Sequence, residues 1–75
     1  MVSLNQVCTG VWTCVVALHT KQELTRRLED FGLVPGTKIC RRYSSPAGDV
    51  TALELRGSVL AMRTTDVRRI MVHIL

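Results

Sequence analysis

The stretch RRLEDFGLVPGTKI, residues 26–39, joins a charged helical pattern to the start of a strand with almost nothing between them. Leu24, Leu28 and Phe31 recur at i, i+4 and i+7, which predicts one apolar stripe along a helix face. Arg26, Arg27, Glu29 and Asp30 occupy the other positions. Gly32 stands where the chain must enter the left-handed region to stop the helix, and Leu33 can fold back as its apolar partner. Pro35 prevents the helix from resuming. Pro35-Gly36 has the sequence of a type II turn, in which Gly supplies the positive φ. The stretch therefore predicts a stiff corner built on Gly32, Pro35 and Gly36, which fixes the angle between an amphipathic helix and a strand over residues 37–43.

Working outward, Thr20-Lys21-Gln22-Glu23 has the form of a capping box, so the helix is expected to begin with the Thr20 hydroxyl accepting from the Glu23 amide. Before it, VWTCVVAL (residues 11–18) is rich in β-branched side chains and reads as a strand. Ser3 and Gln6 form a similar box, which predicts a short helical turn ahead of Gly10. After the corner, SSPAGD (44–49) is a loop. VTALELR (50–56) is a strand with Leu53 and Leu55 on one face and Glu54 and Arg56 on the other. Gly57 reverses the chain into VLAMR (59–63). Thr64 or Thr65 caps a single helical turn, and IMVHI closes the fold with Ile70, Val72 and Ile74 alternating inward. Five short strands and one early helix predict a mainly β fold: a small, partly open barrel with an inserted α-helix, as a single domain over residues 1–75.

A chain of 75 residues has room for one core and buries only a little over roughly 60% of its unfolded surface. The hydrophobic fraction of 47% against 21% charged residues belongs to a folded globule. A net charge of +4 permits an anionic partner without demanding one. The most apolar run, Val11 to Leu18, is far shorter than the roughly 20 residues a spanning helix needs, so no membrane insertion is expected. No targeting pattern opens the chain, so it is expected in the cytoplasm, with Cys8, Cys14 and Cys40 as free thiols.

No catalytic constellation stands out. Cys14 and His19 differ by an odd number and would point to opposite faces of a regular strand. Among Cys8, Cys14, Cys40, His19 and His73 no pair has metal-chelating spacing, so neither a metal site nor a cofactor is expected. If Ile39 and Tyr43 face the core, Cys40 faces out between Lys38 and Arg42, where cations would favour its thiolate; a buried, inert cysteine is the plainer alternative. The pairs Arg26-Arg27, Arg41-Arg42 and Arg68-Arg69 lack interleaved aromatics to stack bases, so nucleic acid is not the expected partner. They read as solvated charge paired with Glu29, Asp30 and Asp66. If Thr13 and Val15 face inward, Trp12 and Cys14 face outward as apolar anchors for a partner. Alternatively, Trp12 joins the core with Val16 and Leu18.

With these residues placed, the chain resembles the ferrous iron transport protein A (FeoA) domain family. The resemblance lies in Leu4 and Gly10, RRLEDFGLVPGT, SPAGD, LELRG, LAMR and the closing Ile70-x-Val72, in the family's order and spacing. It implies an SH3-like β-barrel and no enzyme activity. It also implies a cytoplasmic accessory role beside a membrane ferrous iron permease that carries a cytoplasmic G-protein domain, with peripheral membrane placement only through that partner. Arg63 matches the family's Leu-Ala-x-Arg position and is expected to bond carbonyls or Glu54. Family loops often read Pro-Leu-Gly-Asp-Pro. Here Pro46-Ala47-Gly48-Asp49-Val50 stands instead, and a less rigid, less adhesive loop is expected.

The leading expectation is an adaptor that docks a groove between helix and barrel onto the permease. Trp12 and Cys14 would be its apolar contacts and Arg26 and Arg27 its polar orienters. A homo-oligomer is a further expected state. The alternatives are a transition-metal-responsive or metal-bridged regulatory module, and then a nucleic-acid-binding barrel.

Overall fold

The structure, a computed structural model, describes residues 1–75. Strand β1 is Val2–Ser3, followed by a 3₁₀ turn over Leu4–Gln6. Strand β2 is Trp12–Leu18, helix α1 is Gln22–Phe31 and strand β3 is Lys38–Ser44. Strands β4 (Val50–Leu55) and β5 (Ser58–Arg63) form a hairpin; the short helix α2 (Thr64–Val67) and strand β6 (Ile70–Ile74) complete the chain. The six strands form one antiparallel sheet in the order β1-β6-β2-β3-β4-β5, curled as an SH3-like barrel. Two-residue β1, which pairs Val2 with Val72 and Ser3 with Met71, is the strand the sequence pattern does not show.

The corner forms as its residues dictate. Helix α1 ends with Gly32 at φ 101°. The Gly32 amide donates to the Glu29 carbonyl at 3.0 Å and the Leu33 amide to the Leu28 carbonyl at 2.8 Å, the two bonds of a Schellman end. Leu28 and Leu33, the apolar pair that accompanies such an end, both lie in the core. The Thr37 amide then donates to the Val34 carbonyl at 3.0 Å across Pro35-Gly36, with Gly36 at φ 95°. Gly36 N donates to Val15 O at 2.8 Å and Val15 N to Thr37 O at 2.9 Å, so the turn is already hydrogen-bonded to β2. The Thr37 hydroxyl joins both halves: it donates to the Gly32 carbonyl at 3.0 Å and accepts from the Val34 amide at 3.2 Å.

The core gathers Leu4, Val15, Leu28, Leu33, Ile39, Leu53, Leu55, Val67, Ile70 and Val72, with Leu18, Leu24 and Leu60 packed around it. Thr13 is fully buried, and its hydroxyl donates to the Ile39 carbonyl at 2.9 Å, so its burial leaves nothing unpaired.

Several expectations are corrected. Phe31 is 45% exposed, because the helix ends there and the turned-back Leu33 fills the core position instead. Helix α1 has no side-chain cap: Lys21 is the N-cap, and the Thr20 hydroxyl is engaged with that of Thr25. Thr25 also donates to the Thr20 carbonyl, which draws Thr20 away from Glu23. Ser3 does cap the opening turn, accepting from the Asn5 amide at 3.3 Å. Ile74 is 61% exposed at the end of its strand. Arg56 leaves β4 to enter the tight turn to β5 at φ 51°.

Candidate interaction surface

A bulge in β3 decides what the outer face displays. Arg41 pairs with Leu53 and Tyr43 with Ala52, so Arg42 is an extra residue between them. Leu53 faces the core, and Tyr43 shares the outer face with Ala52. Tyr43 is therefore exposed, contrary to simple alternation from Ile39. The side chain of Arg42 reaches Glu54 and forms the molecule's one ion pair. This bond raises the Arg42 pKa above its ordinary value. Its guanidinium carbon lies 5.7 Å from the centre of the Trp12 ring, within cation–π range.

Trp12 is on the outer face and 38% exposed, while Thr13 and Val15 point inward. It does not join the core with Val16 and Leu18. The strand register sets Trp12 opposite Cys40 and Cys40 opposite Glu54. Cys40 therefore points outward yet is fully buried, on a face where Trp12 and Glu54 are its cross-strand neighbours and Arg42 bonds to Glu54 beside it. A reactive, exposed Cys40 is thus replaced by a roofed one. Cys14 is half-buried on the same face, and Cys8 is exposed.

Beside Trp12 lies an open concavity of about 490 Å³, lined by Trp12, Gly36, Thr37, Lys38, Arg56 and Gly57. The corner supplies its floor, and two cations flank the indole. The Arg56 side chain lies against Gly32, close enough that a Cβ there would meet it at 3.5 Å. This places a guanidinium at the negative end of the α1 dipole. Arg26 and Arg27 are exposed on α1 and line neither this concavity nor any other. Sequence reasoning missed Lys38 and Arg56. The Arg-Gly pair of a tight hairpin was the available signal for Arg56.

A second concavity, about 420 Å³, lies between the 47–50 loop and the start of α2, with Arg63 and Arg68 at its sides. Its loop is closely tied despite lacking the family's Leu and second Pro. Ser45 Oγ donates to Asp49 Oδ1 at 2.7 Å and accepts from the Val50 amide at 3.2 Å. The Thr64 amide donates to Asp49 O at 2.9 Å and the Thr64 hydroxyl to Gly48 O at 2.7 Å. The Ser45 bond, helped by backbone amides, holds the Asp49 carboxyl below the usual carboxylate range. Arg63 is exposed and does not reach Glu54, because it faces Val50 at the far end of β5 while Glu54 faces Val59. Glu29, Asp30 and Asp66 form no ion pair.

Cys14 and His73 stand opposite each other on β2 and β6, but no three Cys, His, Asp or Glu side chains converge. No helix is long and apolar enough to cross a membrane.

A small antiparallel barrel with a locked helix–strand corner and an aromatic–cation surface defines a small SH3-like module. The chain belongs to the FeoA domain family, whose model matches residues 2–74. It is similar to the FeoA protein of Chlorobium tepidum, at 33% identity and TM-score 0.93, over 97% of this chain and 70% of that one. A FeoA-like protein of Clostridium acetobutylicum matches at 32% identity and TM-score 0.84, over 99% and 86% of the two chains. The crystal structure of an iron uptake regulatory protein (FeoA) matches at 27% identity and TM-score 0.80, over 99% and 96%. The repressor ScaR with bound Zn²⁺ shares the fold at 19% identity and TM-score 0.84, over 100% of this chain and 37% of its own. Among curated proteins none matches significantly.

Proposed function

We propose that this chain is a non-catalytic accessory protein of ferrous iron uptake, and that it acts in the cytoplasm by docking on the cytoplasmic, G-protein-bearing region of a ferrous iron permease. Family membership supports the iron-uptake context, as do relatives described as iron(II) transport protein A and iron uptake regulatory protein. The observation that carries the docking reading is Trp12: an exposed indole at the rim of a concavity, backed by the Arg42–Glu54 pair and flanked by Lys38 and Arg56. An aromatic anchor beside cations on a rigid floor is the usual make-up of an interface hot spot. Trp12 and Cys14 would supply apolar contact. Lys38 and Arg56 would orient the partner at close range, and Arg26 and Arg27 would attract it from the helix.

The test is calorimetric binding of the purified protein to the isolated cytoplasmic region of a permease from the same organism. Trp12→Ala is expected to weaken binding by about 30-fold or more, the effect of losing a hot spot worth about 2 kcal/mol. Unchanged affinity would remove Trp12 from the interface. No binding by the unaltered protein would remove the docking function itself.

A further inference from the structure

Strand β5 is one of the two edges of the sheet, the other being two-residue β1: β4 flanks it on one side and no strand lies on the other. Its register with β4 runs without a shift from Val50↔Arg63 to Leu55↔Ser58. Leu55 and Ser58 flank a two-residue turn in which Arg56 (φ 51°) and Gly57 (φ 77°) are both left-handed, so they form a hydrogen-bonded pair. Antiparallel alternation then gives the backbone groups of Ser58, Leu60 and Met62 to β4 and turns those of Val59, Ala61 and Arg63 outward. None of the turn, loop or cap backbone bonds reaches those of Val59 and Ala61 or the Arg63 amide, while the Arg63 carbonyl, at the N-cap of α2, belongs to that helix. Edge strands are ordinarily guarded by Pro, a bulge, an inward charge or a covering element. The β5 sequence SVLAMR has no Pro and no bulge, and its one charge, Arg63, is at its end and exposed. Val59 is 59% exposed and Ala61 is exposed beside it.

We propose that β5 receives an extended acidic peptide segment of a partner protein as a seventh strand. Charge selects this occupant. Arg56 stands at one end of the edge and Arg63 at the other, and neither has a carboxylate within ion-pair distance. A second copy of the chain would bring the same arginines and the same net charge of +4. An acidic strand instead completes the ladder with the outward groups of Val59 and Ala61 and the Arg63 amide, and its end carboxylates meet the two guanidiniums. The turn that carries Arg56 lies about six strand positions from Arg63, about 20 Å at 3.3 Å per residue, so a segment of about seven to nine residues spans them. Its side chains facing Val59 and Ala61 should be β-branched and uncharged. This edge is a separate surface from the Trp12 concavity, with Arg56 at the junction of the two, and its test does not depend on the permease.

The test is an amide-resolved NMR titration of the full chain with a blocked nine-residue peptide that alternates valine and threonine and carries glutamate at both ends. The expected result is shifts and slowed amide exchange at Val59, Ala61 and Arg63, with at least tenfold weaker binding of the same peptide ended in lysine. Ala61→Pro removes an outward N–H that β4 does not use, and should abolish binding with the rest of the spectrum intact. If that variant fails to fold, the double variant Arg56→Glu with Arg63→Glu should reverse the preference toward the lysine peptide. Absence of shifts at millimolar peptide, shifts confined to other strands, or equal binding of both peptides would overturn the proposal. So would concentration-dependent shifts of β5 in the peptide-free protein, which would assign the edge to a second copy.

Discussion

Replacing Thr37 by valine tests the corner at its tightest point. Valine keeps the shape of threonine and removes only the hydroxyl. Thr37 is 6% exposed, and its oxygen serves two backbone groups: the Gly32 carbonyl at 3.0 Å and the Val34 amide at 3.2 Å. Thr37→Val orphans both. An unpaired buried polar group costs about 1–3 kcal/mol, and because Gly32 and Val34 are only half-buried each belongs near the lower end. The expected loss is about 2–3 kcal/mol. In a domain of this size each kcal/mol moves the melting temperature by about 4–8 °C, so a fall of roughly 8–24 °C should follow. Thr37→Ser is the control: it retains the hydroxyl and gives up one methyl, about 0.8 kcal/mol. Thermal and urea unfolding with an unchanged m-value measure both. A valine variant as stable as the parent, or a serine variant as damaged as the valine one, would refute the assignment of the corner's rigidity to this hydroxyl.

Gly32→Ala should cost about 1–2 kcal/mol through the left-handed backbone alone, since the new Cβ would meet the flexible Arg56 side chain at an ordinary 3.5 Å. Gly32→Asn should cost less, as asparagine tolerates that region better, and unfolding midpoints of the two rank them. The lowered pKa of Asp49 implies stability that is fully present above the ordinary carboxylate pKa near 4 and is lost as pH falls through the lower folded value. Asp49→Asn should flatten the urea midpoint across that acid window and leave its neutral pH dependence unchanged. Thiol labelling should proceed in the order Cys8, Cys14, Cys40, and Trp12→Ala or Arg42→Ala should speed Cys40 at least tenfold with the far-UV spectrum unaltered.

The corner was legible because its determinants are local: a glycine that must be left-handed, a proline that stops a helix and a two-residue turn all act within a few positions. The inward pair Leu53 and Leu55 followed from the alternation of a regular strand, whereas the first strand, apolar on both faces, left open whether Thr13 and Val15 or Trp12 turned to the core. What escaped depended on partners distant in the chain. Phe31 fitted the helical period, yet the period does not say where the helix stops, and the core place went to Leu33. Glu54 had several arginines to choose from, and the ladder gave it Arg42 rather than Arg63. Cys40 was read as either reactive or buried. It is buried on the outer face, which a strand pattern cannot express, because its roof is borrowed from β2 and β4. Arg56 and Lys38 entered the surface beside Trp12 because the β4–β5 turn and the Pro35-Gly36 turn come together in space.

The bulge in β3 gives the protein a spare position. Arg42 falls outside the count by which β3 and β4 match their residues, so the pairs on either side keep their partners whatever side chain it bears. Most places on a barrel wall answer to the interior through strict in-and-out order. This one does not, and it projects beside the exposed indole. Such a site lets the chemistry shown to an outside molecule drift from one relative to the next while the closed interior is left untouched.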